Sequence, residues 1–148
     1  MSKILLVASP GGHFVQLSLI AEKMSEHQRI VVGTYDKAPS FMHCEHYHRI
    51  TDFSRTDAYK ALFVSLKAIK ILVSEKPELV ITTGAAPGLI FAFLAKLLGK
   101  KSVWVDSIAN SKQLSLSGKI ARKLGIKVLS QWKNVAHDNG LQYQGRVI

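Results

Sequence analysis

Met1-Ser-Lys-Ile-Leu-Leu-Val-Ala-Ser-Pro-Gly-Gly-His-Phe-Val-Gln-Leu-Ser-Leu-Ile20 opens the chain and decides how the rest is read. Ile4 to Ala8 is an apolar run of the length of one buried strand, and Ser9-Pro10-Gly11-Gly12-His13 ends it. A helical pattern, Gly12–Met24, follows at once. Strand, glycine turn and helix N-terminus in this order build the nucleotide, phosphate and sugar sites of α/β proteins. The glycines let backbone approach a ligand, and the first N–H groups of the helix, with its dipole, face it. A ligand site is expected here.

The alternation continues down the chain. Arg29–Gly33 reads as a second strand and Glu45–Ile50 as a short, polar third. Ala58–Glu75 reads as a long helix, Leu79–Thr82 as a fourth strand, and Pro87–Leu98 as a helix with proline in its first turn. Ser102–Asp106, Ser115–Leu124 and Lys127–Ser130 are expected as strand, helix and strand, and Gly145–Ile148 as the start of another strand. Apolar strands separated by helical segments predict an α/β, Rossmann-like domain, a mostly parallel sheet with helices on both faces. Residues 1–148 contain no linker, repeat or low-complexity run, so one domain is expected. Ligands of such sheets lie beyond the carboxyl ends of the strands. The turns there are Ser9–His13, Thr34–Asp36, Thr83–Gly88 and Asp106–Ser111. One layer of loops makes half a cleft, and a partner is expected to supply the rest.

Twenty Lys and Arg face ten Asp and Glu, a net charge of +10. Such a balance favours an anionic partner: nucleic acid, acidic lipid or a phosphorylated substrate. No helix-turn-helix, RNP or zinc pattern is present, and the cations are not interleaved with aromatics, so nucleic acid is not the expected partner. The one cysteine, Cys44, forbids an internal disulfide and fits the cytoplasm. No secretory signal is visible, and no window approaches the ~20 apolar residues of a membrane span. The nearest approach, Pro87–Leu98, is interrupted by Lys96.

The first turn is neither the G-x-G-x-x-G fingerprint nor a P-loop. Asp36 follows strand two where a ribose-binding acid would sit, which leaves a stand-alone nucleotide- or NAD-binding protein as the alternative reading. In His43-Cys44-Glu45-His46-Tyr47-His48, His46 and His48 share a strand face, but with Cys44 they give no standard zinc spacing. A solvated edge strand is the better account, and neither a metal nor a cofactor is expected. In Tyr59–Lys76, Lys60, Lys67 and Lys70 fall on one stripe, and Leu62, Leu66, Ile69 and Val73 on another. That is the pattern of a membrane-surface helix and also of an ordinary exposed one, and for this helix alone the ordinary one is the favoured account. With the other lysines, these three are the expected face toward an anionic membrane.

Four segments share one likeness. Pro10-Gly-Gly-His-Phe-Val-Gln16, Val80-Ile-Thr-Thr-Gly-Ala-Ala-Pro-Gly88, Val105–Gly118 with Ser115-Leu-Ser-Gly118 at its end, and the closing Gln131-Trp132 with Tyr143-Gln-Gly145 resemble the Alg14-like family of GT-B glycosyltransferases. That family includes bacterial capsule and exopolysaccharide subunits. The resemblance implies the N-terminal, acceptor-side half of a GT-B enzyme made as a separate chain, with little or no activity alone. It also implies a donor-binding, Alg13-like partner that holds a UDP-sugar, and a lipid-linked sugar acceptor at the inner face of a membrane. The chain departs from the pattern at Asp106, where glutamate is more usual, and at Asn110, where a basic residue is common. No N-terminal anchor like that of the eukaryotic members is expected.

His13 is the first candidate catalytic residue, because a neutral imidazole facing a sugar hydroxyl can take its proton as the oxygen attacks the anomeric carbon. Asp106 is the second, orienting His13 or binding acceptor hydroxyls, with capping of the next turn as the competing role. Ser9, Gly11, Gly12, Gln16, Thr83, Gly84, Ala85, Pro87, Gly88, Ser107 and Asn110 are the candidate substrate contacts. Trp132, Val135 and Leu141 are the candidate contacts to the partner chain.

Overall fold

The computed structural model describes residues 2–53, 55–141 and 143–146. Strands β1 (Lys3–Ala8), β2 (Gln28–Gly33), β3 (His46–Arg49), β4 (Leu79–Gly84), β5 (Lys101–Val105) and β6 (Lys127–Leu129) form a six-stranded sheet in the order β3-β2-β1-β4-β5-β6. Every pairing is parallel, so the expected mostly parallel sheet is wholly so. Between the strands lie α1 (Gly12–Glu22), α2 (Lys60–Glu75), α3 (Ala85–Leu97) and α4 (Leu116–Lys123), and α5 (Lys133–Asp138) follows β6. The chain winds outward from β1 to β3, then crosses back to β4 and winds the other way. Right-handed crossovers put α1 on one face and α2 to α4 on the other. The β1–β4 boundary is therefore the switch point, where the loops part and open a crevice at the carboxyl edge.

Alternation along the strands sorts the core. Leu5, Val7, Ile30, Val32 and Val80 point to the face where Val64, Ala68, Ile71 and Leu72 of α2 meet Phe91 and Ala95 of α3. Ile4, Leu6, Ala8, Val31 and Ile81 point to the opposite face, against Phe14, Leu17 and Ala21 of α1. Trp104 and Val128 carry a third cluster under Ala92 and Ala121. Burial on both faces is why these strands read as continuous apolar runs.

Of the three expected partner contacts in the C-terminal segment, the structure removes Val135 from the surface. Val135 lies on α5, a helix too short to betray itself by periodicity, and is fully buried in the third cluster. Trp132 and Leu141 are half-buried against the same cluster. The Trp132 indole N–H donates to the Ile108 carbonyl at 2.5 Å, and the Arg146 guanidinium stands over its ring, 4.9 Å from the centroid. These side chains fold back onto their own core because β5 and β6 need a cover there. Tyr143 forms an isolated parallel bridge with Ser130, while Val147 and Ile148, the rest of the expected last strand, lie outside the described residues.

At the other edge, His46 Nδ1 and His48 Nε2 hydrogen-bond with Glu75 Oε2 at 3.1 and 3.0 Å, joining β3 to the last turn of α2. Burial pushes the Glu75 carboxyl up, but the bonds from His48 and His46 outweigh it and hold the group below its ordinary value. Among the described residues, no group of three or more His, Cys, Asp or Glu side chains is placed to hold a metal ion. None of their helices is long and apolar enough to cross a membrane.

Candidate functional site

The loops after β1 and β4 meet at the switch point. Pairing between these strands slips between Val7 and Ala8, so that Val7 faces Thr82 while Ala8 faces Gly84. Thr83 is left as the extra residue, as at a β-bulge, and both its polar groups turn to His13. The Thr83 hydroxyl donates to the His13 carbonyl at 2.5 Å, and His13 Nδ1 lies 3.1 Å from the Thr83 carbonyl. A carbonyl can only accept, so Nδ1 carries the proton of this contact, and Nε2 is the acceptor end of the ring whenever it is uncharged.

Gly84 makes this contact possible. Its φ of +149° is open to glycine, and a Cβ there would stand 2.5 Å from His13 Nδ1. Ala85, the next residue, keeps a φ of 70°, a conformation that costs a non-glycine residue energy and clusters where backbone serves a site. Gly84→Ala is expected to displace the imidazole and to destabilise the domain by about 1–3 kcal/mol. A urea midpoint and the His13 ring proton shifts check this. An unmoved ring at an unchanged midpoint would show that the loop has room to spare.

Asp106, at the end of β5, is 2% exposed and bound on all sides. Its Oδ1 accepts from Trp104 Nε1 at 3.0 Å and from the Ser115 hydroxyl at 2.6 Å. Its Oδ2 accepts from the Ser115 amide at 3.0 Å and from Asn110 Nδ2 at 3.2 Å. Two donors on each oxygen saturate the carboxylate. His13 is not among them, so the orienting group for His13 is the Thr83 carbonyl. Asp106 instead fixes Ser115, whose hydroxyl caps α4 by accepting from the Gly118 amide at 2.9 Å. The turn that Asp106 holds is the one into α4, through Ser115, and not the next turn through the amides of Ser107 or Asn110.

A cavity of about 330 Å³ opens between these groups, lined by His13, Thr83, Gly84, Ala85, Trp104, Asp106, Ser107, Asn110, Ser115, Leu116 and Ser117. The structure thus brings together His13, Thr83, Gly84, Ala85, Asp106, Ser107 and Asn110 of the expected set. It does not bring in the others. Gln16 is buried, accepting from the Ile108 amide at 3.1 Å and from Gln131 Nε2 at 2.7 Å while donating to the Ser107 hydroxyl at 3.3 Å. Its long polar side chain stitches α1 to the β5 and β6 loops. Pro87 and Gly88 lie buried in α3, and a Cβ on Gly88 would fall 2.0 Å from Thr82 Oγ1, so this glycine serves close packing. Gly11 and Gly12 shape the turn without lining the cavity, and the Ser9 hydroxyl is buried with no hydrogen-bond partner among the described residues. Ser115, Leu116, Ser117 and Trp104 were not expected. The N-cap signal at Ser115 was there to be read, but Trp104 enters only because β5 ends beside the loop.

The cavity suits a polar, mostly neutral ligand. Its lining holds hydroxyls, an amide, an imidazole and the hydrogen-bonded Asp106 carboxylate, with no lysine or arginine. Any negative charge would meet the N-termini of α1 and α3, which carry no side-chain cap and no acid in the first turn. Asn110, where a basic residue was looked for, is committed to Asp106.

Comparison with known proteins follows the fold. Residues 18–147 match the family model described as oligosaccharide biosynthesis protein Alg14 like. No curated protein matches the sequence. Among solved structures, MurG from Acinetobacter baumannii superposes with a TM-score of 0.73 at 15% identity, over 91% of this chain and 43% of that one. UDP-N-acetylglucosamine 2-epimerase from Rickettsia bellii gives 0.73 at 15%, over 99% and 45%. A glycosyltransferase from Rickettsia africae gives 0.61 at 16%, over 88% and 36%. The chain spans less than half the length of each. At such identities the likeness shows the fold, a Rossmann-like domain of the GT-B type.

Proposed function

The chain belongs to the Alg14-like family of oligosaccharide biosynthesis proteins, and from that premise we propose that it is the acceptor-binding subunit of a two-chain glycosyltransferase. A separate donor-binding chain brings the nucleotide sugar, and the acceptor is a sugar carried on a lipid at the inner face of a membrane, in polysaccharide or lipid-linked oligosaccharide synthesis. The observation that carries this reading is the bond between His13 Nδ1 and the Thr83 carbonyl. It leaves Nε2 as the base at a cavity lined by sugar-sized polar groups. There, Nε2 takes the proton of an acceptor hydroxyl as its oxygen bonds to the anomeric carbon, and the nucleoside diphosphate leaves with the electron pair of the broken bond. Ser107, Asn110 and Ser117 line the cavity as acceptor contacts.

Val135 is fully buried and has no surface to offer a partner, and Trp132 and Leu141 offer only part of theirs. In their place stands the groove on the α1 side of the sheet, lined by Ile20, Met24, Ile81, Val103, Val105 and Leu129. Its apolar walls are half-covered by α1, and we seat the donor-binding chain there.

The test is affinity capture of the chain from its own membranes, followed by a transfer assay with labelled UDP-sugars. A stoichiometric partner that binds nucleotide sugar, and transfer only when both chains are present, is the expected result. A chain that is captured alone and binds free nucleotide by itself would overturn the reading.

A further inference from the structure

Helix α2 is apolar on two sides, and the sheet can cover only one. Val64, Ala68, Ile71 and Leu72 are buried on the sheet. In an ordinary exposed helix the stripe of Leu62, Leu66, Ile69 and Val73 would be turned inward. Here it is turned out. Tyr59, Leu62, Phe63, Leu66, Ile69 and Val73 are 40–68% exposed, and together they form one outward face along the whole length of the helix. Surfaces of this size are uncommon on free soluble domains and mark a surface with an occupant.

We propose that the outward face of α2 inserts into the interfacial layer of an anionic lipid bilayer. Charge selects this occupant. Lys70 lies within the apolar face and Lys67 along its flank, both exposed, as cations that reach up to phosphate headgroups while their stems stay among the apolar side chains. From Lys60 to Lys76 the one acid is Glu75, which is held by His46 and His48 toward the sheet edge. The outward face of α2 therefore carries apolar and positive groups and no acid, in a chain of net charge +10. A protein partner would be expected to meet complementary acids at its rim, whereas an anionic leaflet asks for cations only.

Lys60 contributes less than its position in the sequence promises, because it is paired with Asp57 at 3.0 Å. Lys67 also bonds to the Arg49 carbonyl. The attachment is accordingly hydrophobic first and electrostatic second. Since α2 runs antiparallel to the strands, its first turn lies at the carboxyl edge of the sheet, the edge that carries the cavity. Insertion along α2 thus brings that edge down to the lipid surface.

Flotation with phosphatidylcholine vesicles, with and without phosphatidylglycerol, tests this without any acceptor or transfer step, so its outcome is separate from that of the function proposed above. The wild-type chain should float with both and more strongly with the anionic vesicles. Leu66→Glu should lower binding at least about tenfold, the factor that one buried leucine carries in an equilibrium. Lys67→Gln with Lys70→Gln should lower the anionic preference by about tenfold. Thermal melts of each variant confirm folding, and because Leu66 is exposed these should be unchanged. Leu66→Trp gives a direct reading, with emission moving to the blue on adding vesicles. A wild-type chain that stays with the soluble fraction, a Leu66→Glu variant that floats as well as wild type, or a tryptophan at 66 whose emission does not move would overturn the proposal. A concentration-dependent dimer that Leu66→Glu dissolves, with no vesicle binding, would overturn it in favour of a second copy.

Discussion

His13→Ala is expected to lower glycosyl transfer by the assembled complex by about 10²–10⁴-fold, the range lost when a positioned general base is removed. The loss should fall on kcat. The substitution also removes the Nδ1–H bond to the Thr83 carbonyl, so alanine alone does not separate a base from a prop. His13→Asn does. The asparagine amide N–H sits near the place of Nδ1 and can still donate to Thr83, but nothing replaces the lone pair of Nε2. If Nε2 is the base, the asparagine variant is as impaired as alanine while its thermal midpoint stays close to wild type. If asparagine restores transfer to within a few-fold of wild type, His13 only holds the two loops together.

Asp106→Ala is expected to act on stability. It strips the partner from Trp104 Nε1, from the amide and hydroxyl of Ser115 and from Asn110 Nδ2, all at one buried carboxylate. Leaving several donors unsatisfied out of water costs about 3–5 kcal/mol, a third or more of the stability of a typical domain. The α4 cap should loosen with it, because Ser115 would lose the group that holds it. Asp106→Asn keeps the shape and one good acceptor, and should cost about 1–2 kcal/mol. Urea unfolding followed by Trp104 fluorescence measures both. The decisive comparison is activity per folded molecule. With Asp106 as a positioning residue, the asparagine variant should keep transfer within about tenfold of wild type. A loss of several hundredfold at an unchanged midpoint would return the residue to the chemistry.

How the sequence reading fared at these two positions has one cause. His13 could be placed at the site because its neighbours in the chain place it: a strand, two glycines and a helix start fix where residue 13 must be. Asp106 could be placed at the same edge for the same reason. Its role could not be read, because that depends on which donors surround it. One of them, Trp104, is adjacent along β5, but the Ser115 pair arrives from nine residues away through a loop whose path no local rule gives. Gln16 shows the limit most clearly. It follows the glycine loop and looks poised for a ligand, yet its partners Ser107, Ile108 and Gln131 lie more than ninety residues ahead.

The segments that were missed are those with too little length to show a period. Helix α5 has six residues, and its one fully buried large side chain, Val135, is indistinguishable in sequence from an exposed anchor. The slip between β1 and β4 that aims Thr83 at His13 is likewise invisible, since a bulge changes register without changing composition.

By itself the sequence determined the order of the strands and of the helices long enough to show a period, the parallel sheet they imply, the edge at which the loops converge and the positive charge of the chain. These follow from period, turn chemistry and composition, which act over a few residues at a time. The tertiary structure decided which of two apolar stripes on α2 meets the sheet, which acid is saturated and which imidazole nitrogen is free. Those are questions of competition: a helix with two greasy faces can bury only one against a given sheet, and a donor can satisfy an acceptor only after the fold has brought them within 3 Å.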